Sequence, residues 1–263
     1  MTESIPHTTT PTLHAQGVSR RYGQHWAVHS LDLALYPGEI VGLLGPNGAG
    51  KSSILQMLSG NLAPTTGSVH IHGYSLIDQA QLAKTHLGYL PQTPPLYPEL
   101  SALDYLRFVA KLHRIPRTHQ AAAVSSVIER CGLANVQKRL IAHLSKGYQQ
   151  RLGIAQAIIH DPQVIILDEP TVGLDPNQIV EIRALIMTLG KDRSVLLSSH
   201  ILPDIEALCQ RAYIMHLGRL VFSGQLPEKN SSSTANSLGQ LFADLTQTSE
   251  DKATLQTTTE AHQ

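Results

Sequence analysis

The sequence predicts an α/β fold with a mostly parallel sheet, and three observations carry that prediction. Short, continuous apolar runs recur at Ile40 to Leu44, Val164 to Leu167, Val195 to Ser198 and Ala212 to Met215, as expected of strands buried on both faces. Stretches with helical spacing separate these runs, so strands and helices alternate along the chain. The 263 residues are 42% apolar with ordinary glycine and proline content, which is enough for one large folded core.

Taken in order, residues 1–12 are polar and threonine-rich and are expected to form a flexible arm; they lack the charged-then-apolar pattern of a signal peptide. Residues 13–92 read as the first part of the core. Leu31, Leu33 and Leu35 alternate with Asp32 and Ala34, the period of a strand. Pro37-Gly38 is a turn, Ile40 to Leu44 a strand, and a glycine-rich loop then opens a helix. Val69 to Ile71 and Leu87 to Leu90 are further strands. Residues 93–161 read as a largely helical insertion, with Leu103, Leu106 and Ala110 at helical spacing and Ser101 placed to cap their helix three residues before Asp104. The core resumes over 162–229. From Asn230 the composition is that of a linker, Ser237 to Thr246 fit one amphipathic helix with Leu238, Leu241, Phe242 and Leu245 on one face, and the polar remainder to residue 263 is expected to be disordered.

Charge and cysteine content narrow the function. Twenty Lys and Arg balance twenty Asp and Glu, which argues against sequence-independent binding of nucleic acid. Two cysteines, Cys131 and Cys209, provide no disulfide framework and fit a reducing compartment. No apolar run approaches the roughly 20 residues of a membrane span.

Gly45-Pro46-Asn47-Gly48-Ala49-Gly50-Lys51-Ser52 matches the P-loop pattern and lies between an apolar strand and a helix, the context that gives the pattern its meaning. Glycines let successive N–H groups turn toward phosphate oxygens, and the helix N-terminus adds partial positive charge. Gly45, Asn47, Gly48, Ala49, Gly50, Lys51, Ser52 and Ser53 are therefore the candidate nucleotide ligands, with Lys51 on the β- and γ-phosphates and the Ser52 hydroxyl on Mg²⁺. Asp168 and Glu169 follow a buried strand, the place where open α/β sheets bind ligands. Asp168 is the candidate Mg²⁺ ligand and Glu169 the candidate base for an attacking water.

Together these segments resemble an ABC-family ATPase, the nucleotide-binding subunit of a transporter, over about Leu13 to Gly224. That resemblance implies a P-loop NTPase core with an antiparallel β subdomain and the inserted helical subdomain. It assigns Gln92 to the glutamine loop that senses Mg²⁺ and the attacking water, and Leu144-Ser145-Lys146-Gly147-Tyr148-Gln149-Gln150-Arg151 to the signature segment. In that segment Ser145 and the Gly147 N–H are expected to contact the γ-phosphate. Gly173-Leu174-Asp175-Pro176 is similar to the D-loop, His200 to the switch histidine, and Tyr22 to the aromatic residue that stacks on adenine. Lys146 and Tyr148 depart from the family consensus. The variant reading Leu-Ser-Lys-Gly-Tyr, with Leu96 to Ser101 upstream, is similar to exporter ATPases of the drug-resistance, gliding-motility and copper-insertion kinds.

The resemblance further implies ATP and Mg²⁺ as cofactors, a head-to-tail homodimer formed around ATP, a separate integral membrane permease as partner, no nucleic-acid partner, and a peripheral location on the cytoplasmic face of the inner membrane. A soluble ABC ATPase acting on nucleic acid or ribosomes is disfavoured by the single P-loop. An importer ATPase shares the same motifs. Among the fourteen histidines, His70 and His72 alternate on a strand, but no third metal ligand accompanies them.

Overall fold

The computed structural model describes residues 10–226 together with 239, 240 and 242. Two sheets organise it. The first is antiparallel, ordered β2-β1-β4-β5, and built from β1 (Leu13–Tyr22), β2 (His25–Leu35), β4 (Thr66–Ile71) and β5 (Tyr74–Ser75). The second has six strands ordered β10-β9-β3-β8-β7-β6. In it β9 (Arg211–His216), β3 (Ile40–Leu44), β8 (Ser194–Ser199), β7 (Val164–Leu167) and β6 (Leu87–Leu90) are parallel, and β10 (Arg219–Gln225) closes one edge antiparallel to β9.

The unbroken apolar runs follow from having a core on each face of this sheet. Val41, Leu43, Val164, Ile166, Leu196, Tyr213 and Met215 join one core with the antiparallel sheet and helix α1 (Lys51–Leu58). Their neighbours Ile40, Leu44, Ile165, Leu167, Val195, Leu197, Ala212 and Ile214 join the other core. There they meet α3 (Ala102–Leu112), α4 (Arg117–Arg130), α5 (Lys146–Ile158), α6 (Pro176–Leu189) and α7 (Leu202–Leu208), whereas the short α2 (Ala80–Thr85) contributes Ala83 to the first core. The two sheets are also tied by polar contacts: Tyr213 OH donates to Ala34 O at 3.2 Å, and the buried Arg211 guanidinium donates to the same carbonyl at 2.6 Å.

Several expectations need adjustment. Thr12, grouped with the arm, is buried; its N–H donates to Leu35 O at 2.8 Å and its hydroxyl meets Ser194 Oγ at 2.6 Å. The helical insertion is interrupted, because residues 131–145 are irregular apart from a short 3₁₀ turn over Ile141–His143. The edge strand β10 carried no clear signal, because its residues are half-buried and follow neither strand pattern. Of the expected Ser237 to Thr246 helix, Gly239, Gln240 and Phe242 are helical and Phe242 packs on the larger core; the rest, like residues 1–9, lies outside the described residues.

Candidate functional site

The strand order gathers motifs that the sequence scatters. Adjacent strands β3, β8, β7 and β6 run parallel, and each ends in a candidate residue: the P-loop after β3, His200 after β8, Asp168 and Glu169 after β7, and Gln92 after β6. All four loops therefore leave the same edge of one sheet, outside the carboxyl ends of its strands.

At the P-loop, glycine is required by close approach as well as by conformation. A Cβ on Gly45 would come within 2.5 Å of Met215 O; one on Gly50, at φ 100°, within 2.5 Å of Ala27 O. Gly50 precedes α1, which has no side-chain cap and no acidic residue in its first turn. Its leading N–H groups are thus left for an anion. Lys51 is 5% exposed, and its Nζ donates to Gly45 O at 2.8 Å and Pro46 O at 3.1 Å. Burial pulls the Lys51 ammonium below the usual lysine range, and the charges of Glu169 and Asp168 oppose that shift.

Glu169 is the hub of the site. Its Oε1 lies 3.7 Å from Lys51 Nζ, and its Oε2 lies 3.1 Å from His200 Nδ1 and accepts from Gln92 Nε2 at 3.3 Å. Its backbone is left-handed at φ 47°, a conformation that costs a non-glycine residue energy and that the surrounding contacts hold in place. Ser198, absent from the sequence expectations, joins the acid pair: its hydroxyl donates to Asp168 Oδ1 at 2.6 Å and accepts from Glu169 N at 2.9 Å. Asp168 is buried, which raises its carboxyl above the usual aspartate range, while hydrogen bonds from Ser198 and Ser52 pull the other way. Burial together with the charge of Asp168 pushes the nearby Tyr89 phenol up to about 12.

Two buried carboxylates facing one ammonium leave excess negative charge, and the Ser52 hydroxyl lies beside Asp168. This donor set is all oxygen, as a hard divalent cation requires, so the residues present fit Mg²⁺.

The remaining expected residues sit apart from this cluster. Ser145 is exposed and caps α5, accepting from Tyr148 N at 3.4 Å. Gly147 is buried under Gln178; a Cβ there would come within 2.6 Å of that side chain. Among the described residues no hydrogen bond or ion pair joins Ser145 or Gly147 to the P-loop. Asp175 caps α6, its Oδ1 accepting from Gln178 N at 2.9 Å. Lys146 lies with its ammonium directly over Gly173. Tyr22 is 43% exposed and is covered by the Arg20 guanidinium, 4.7 Å from its ring centre. Beside the P-loop, His25, Trp26, His29, Gly48 and Leu217 line a cavity of about 290 Å³ to which Tyr22 does not contribute. Trp26 is the chain's single tryptophan. Nothing in its hairpin turn marked it beforehand.

With the geometry in view, likeness to known proteins is specific. Residues 28–172 match the family model described as ABC transporter. The bacitracin transport ATP-binding protein BcrA of Bacillus licheniformis is 39% identical over 78% of this chain and 66% of its own length. A Nod factor export ATP-binding protein of Cupriavidus metallidurans is 33% identical over 89% of this chain and 78% of its own. A solved structure of an ATP-binding subunit of an ABC transporter superposes with a TM-score of 0.79 at 30% identity, covering 89% of this chain and 99% of that one. The chain belongs to the ABC transporter family, as an ATP-binding subunit and an ATPase.

Proposed function

We propose that this chain hydrolyses ATP to drive export through a separate membrane permease, working as a head-to-tail pair on the cytoplasmic face of the membrane. The observation that carries this reading is the convergence of Lys51, Gln92 and His200 on the single carboxylate Glu169 at one sheet edge. The direction of transport rests on the Leu144-to-Tyr148 variant and on likeness to the bacitracin and Nod factor proteins.

In this reading Gly45, Asn47, Gly48, Ala49, Gly50 and Ser53 offer the cradle for the phosphates, and Lys51 leaves its carbonyl partners to meet the γ-phosphate. Glu169 accepts a hydrogen bond from Gln92 and stands 3.1 Å from His200 Nδ1, and with substrate present it orients the attacking water. His200 then meets charge that develops on the γ-phosphate. Ser52, Gln92 and Asp168 would hold Mg²⁺, which would supply neutralisation of phosphate charge when bound. The Trp26 cavity and Tyr22 flank the adenosine end. Ser145, Gly147 and Asp175 act across the dimer. Among the described residues no helix is long and apolar enough to cross a membrane, and the permease is proposed as a second polypeptide.

Glu169→Gln tests the assignment. Hydrolysis should fall by about 10²–10⁴ while ATP binding is kept. Turnover at the parent rate would remove Glu169 from the mechanism.

A further inference from the structure

The α3–α4 hairpin carries a surface that the ATP site does not use. Its turn holds Lys111, Arg114 and Arg117, all exposed, with no carboxylate between them. Arg114 makes the turn at φ 56°. Over Ala102 to Arg130 there are five Lys and Arg against two carboxylates, Asp104 and Glu129, in a chain whose net charge is zero. Asp104 is occupied by Arg107 at 3.3 Å, and Glu129 stands near the opposite end of α4. Among the described residues no ion pair forms with Lys111, Arg114 or Arg117.

Apolar groups accompany these cations. Phe108 and Leu112, one turn apart on α3, are 37% and 62% exposed. A groove of about 690 Å³ runs between α3 and α4 over Leu103, Val124 and Ile128. Lys111 and Arg117 stand at its turn end because the two helices are antiparallel neighbours joined there.

We propose that this hairpin tip docks on anionic lipid headgroups at the membrane surface. The proposal rests on the reading that the subunit works beside a membrane. A negatively charged leaflet attracts clustered Lys and Arg within about a Debye length. Side chains such as Phe108 and Leu112 enter the headgroup boundary, where their exposure to water ends. A small free anion would engage the cations and leave that apolar pair in water, so the combination fits a lipid surface better than a soluble phosphate. Docking here would orient the subunit beside its permease through contacts that belong to the lipid.

Co-sedimentation of the full chain with phosphatidylglycerol–phosphatidylcholine vesicles, against phosphatidylcholine vesicles alone, tests this without ATP. Binding is expected to the anionic vesicles only, and to weaken steeply with salt. The combined variant Lys111→Gln, Arg114→Gln, Arg117→Gln should bind about a hundredfold more weakly, about fivefold per charge, with unchanged ATPase activity. Leu112→Ser should weaken binding severalfold and leave the salt dependence as it was. Equal binding to neutral vesicles, or parent-like binding by the combined variant, overturns the proposal. Because the assay uses no nucleotide, such a result leaves the ATPase reading standing. Loss of ATPase activity in the parent chain would refute that reading instead.

Discussion

Two helices of this subunit begin at segments expected to meet phosphate, and they begin differently. Helix α1 starts at Gly50, in a left-handed conformation, with no side chain capping its N–H groups. Helix α5 starts at Ser145, whose hydroxyl accepts from Tyr148 N, and Gly147 behind it is buried under Gln178. The first terminus keeps its donors open and is backed by Lys51, Asp168 and Glu169 from its own chain. The second satisfies part of its own end and touches none of that machinery. The contrast teaches that the phosphate-binding and water-orienting residues are gathered at one end of the sheet, while the signature segment lies apart from them, as the proposed head-to-tail pairing expects.

The largest effect that bears on this contrast comes from Lys51→Ala. It removes the buried ammonium and should weaken ATP binding at least about a hundredfold. Trp26, the sole tryptophan and a wall of the cavity beside Gly48, provides the fluorescence signal for that titration. An affinity close to the parent's would mean that the open terminus alone carries the phosphate.

Ser145→Ala works on the other helix. Loss of the cap should cost about 1 kcal/mol of stability, read as a lower urea midpoint. ATP affinity of the single subunit should stay at the parent value, whereas ATP-dependent pairing weakens. A drop in single-subunit affinity would place Ser145 in its own chain's site and erase the contrast.

The smallest effect concerns Asp168. Its carboxyl is raised above the usual 3.8 by burial, so the folded chain holds that proton more tightly than the unfolded chain. The stabilisation from this protonation is present below the unfolded value and is lost as pH rises through the folded one. Asp168→Asn should therefore raise the melting temperature of the nucleotide-free protein at neutral pH, with the gain shrinking in acid. Calorimetry across pH checks this; a gain that stays constant into acid would mean that burial of the Asp168 charge is not its source.

Much of this site was legible where its residues are contiguous. Gly45 to Ser52 declare themselves within one strand–loop–helix unit, and Asp168-Glu169 follow a short apolar run that reads as a buried strand. The meeting of Gln92, Glu169 and His200 was implied by family resemblance, and spacing along the chain does not reveal it. It depends on the order β3-β8-β7-β6, which the sequence does not spell out. Ser198 was missed because a serine at the end of a strand looks like any other, and its value lies in reaching Asp168 and Glu169 from the neighbouring strand. The lodging of Lys146 over Gly173, and of Gln178 over Gly147, likewise comes from tertiary contact between segments about thirty residues apart. In the fold, both-face burial made β3, β7, β8 and β9 readable, and half-burial hid β10.

Whether each chain holds half of a composite site, as proposed, is tested most directly by sedimentation velocity on Glu169→Gln. With ATP and Mg²⁺ the protein should sediment as a dimer, and without ATP as a monomer. Adding Ser145→Ala should return the ATP-bound protein toward the monomer. A Glu169→Gln protein that binds ATP, by Trp26 fluorescence, yet remains monomeric at all ATP concentrations would contradict it.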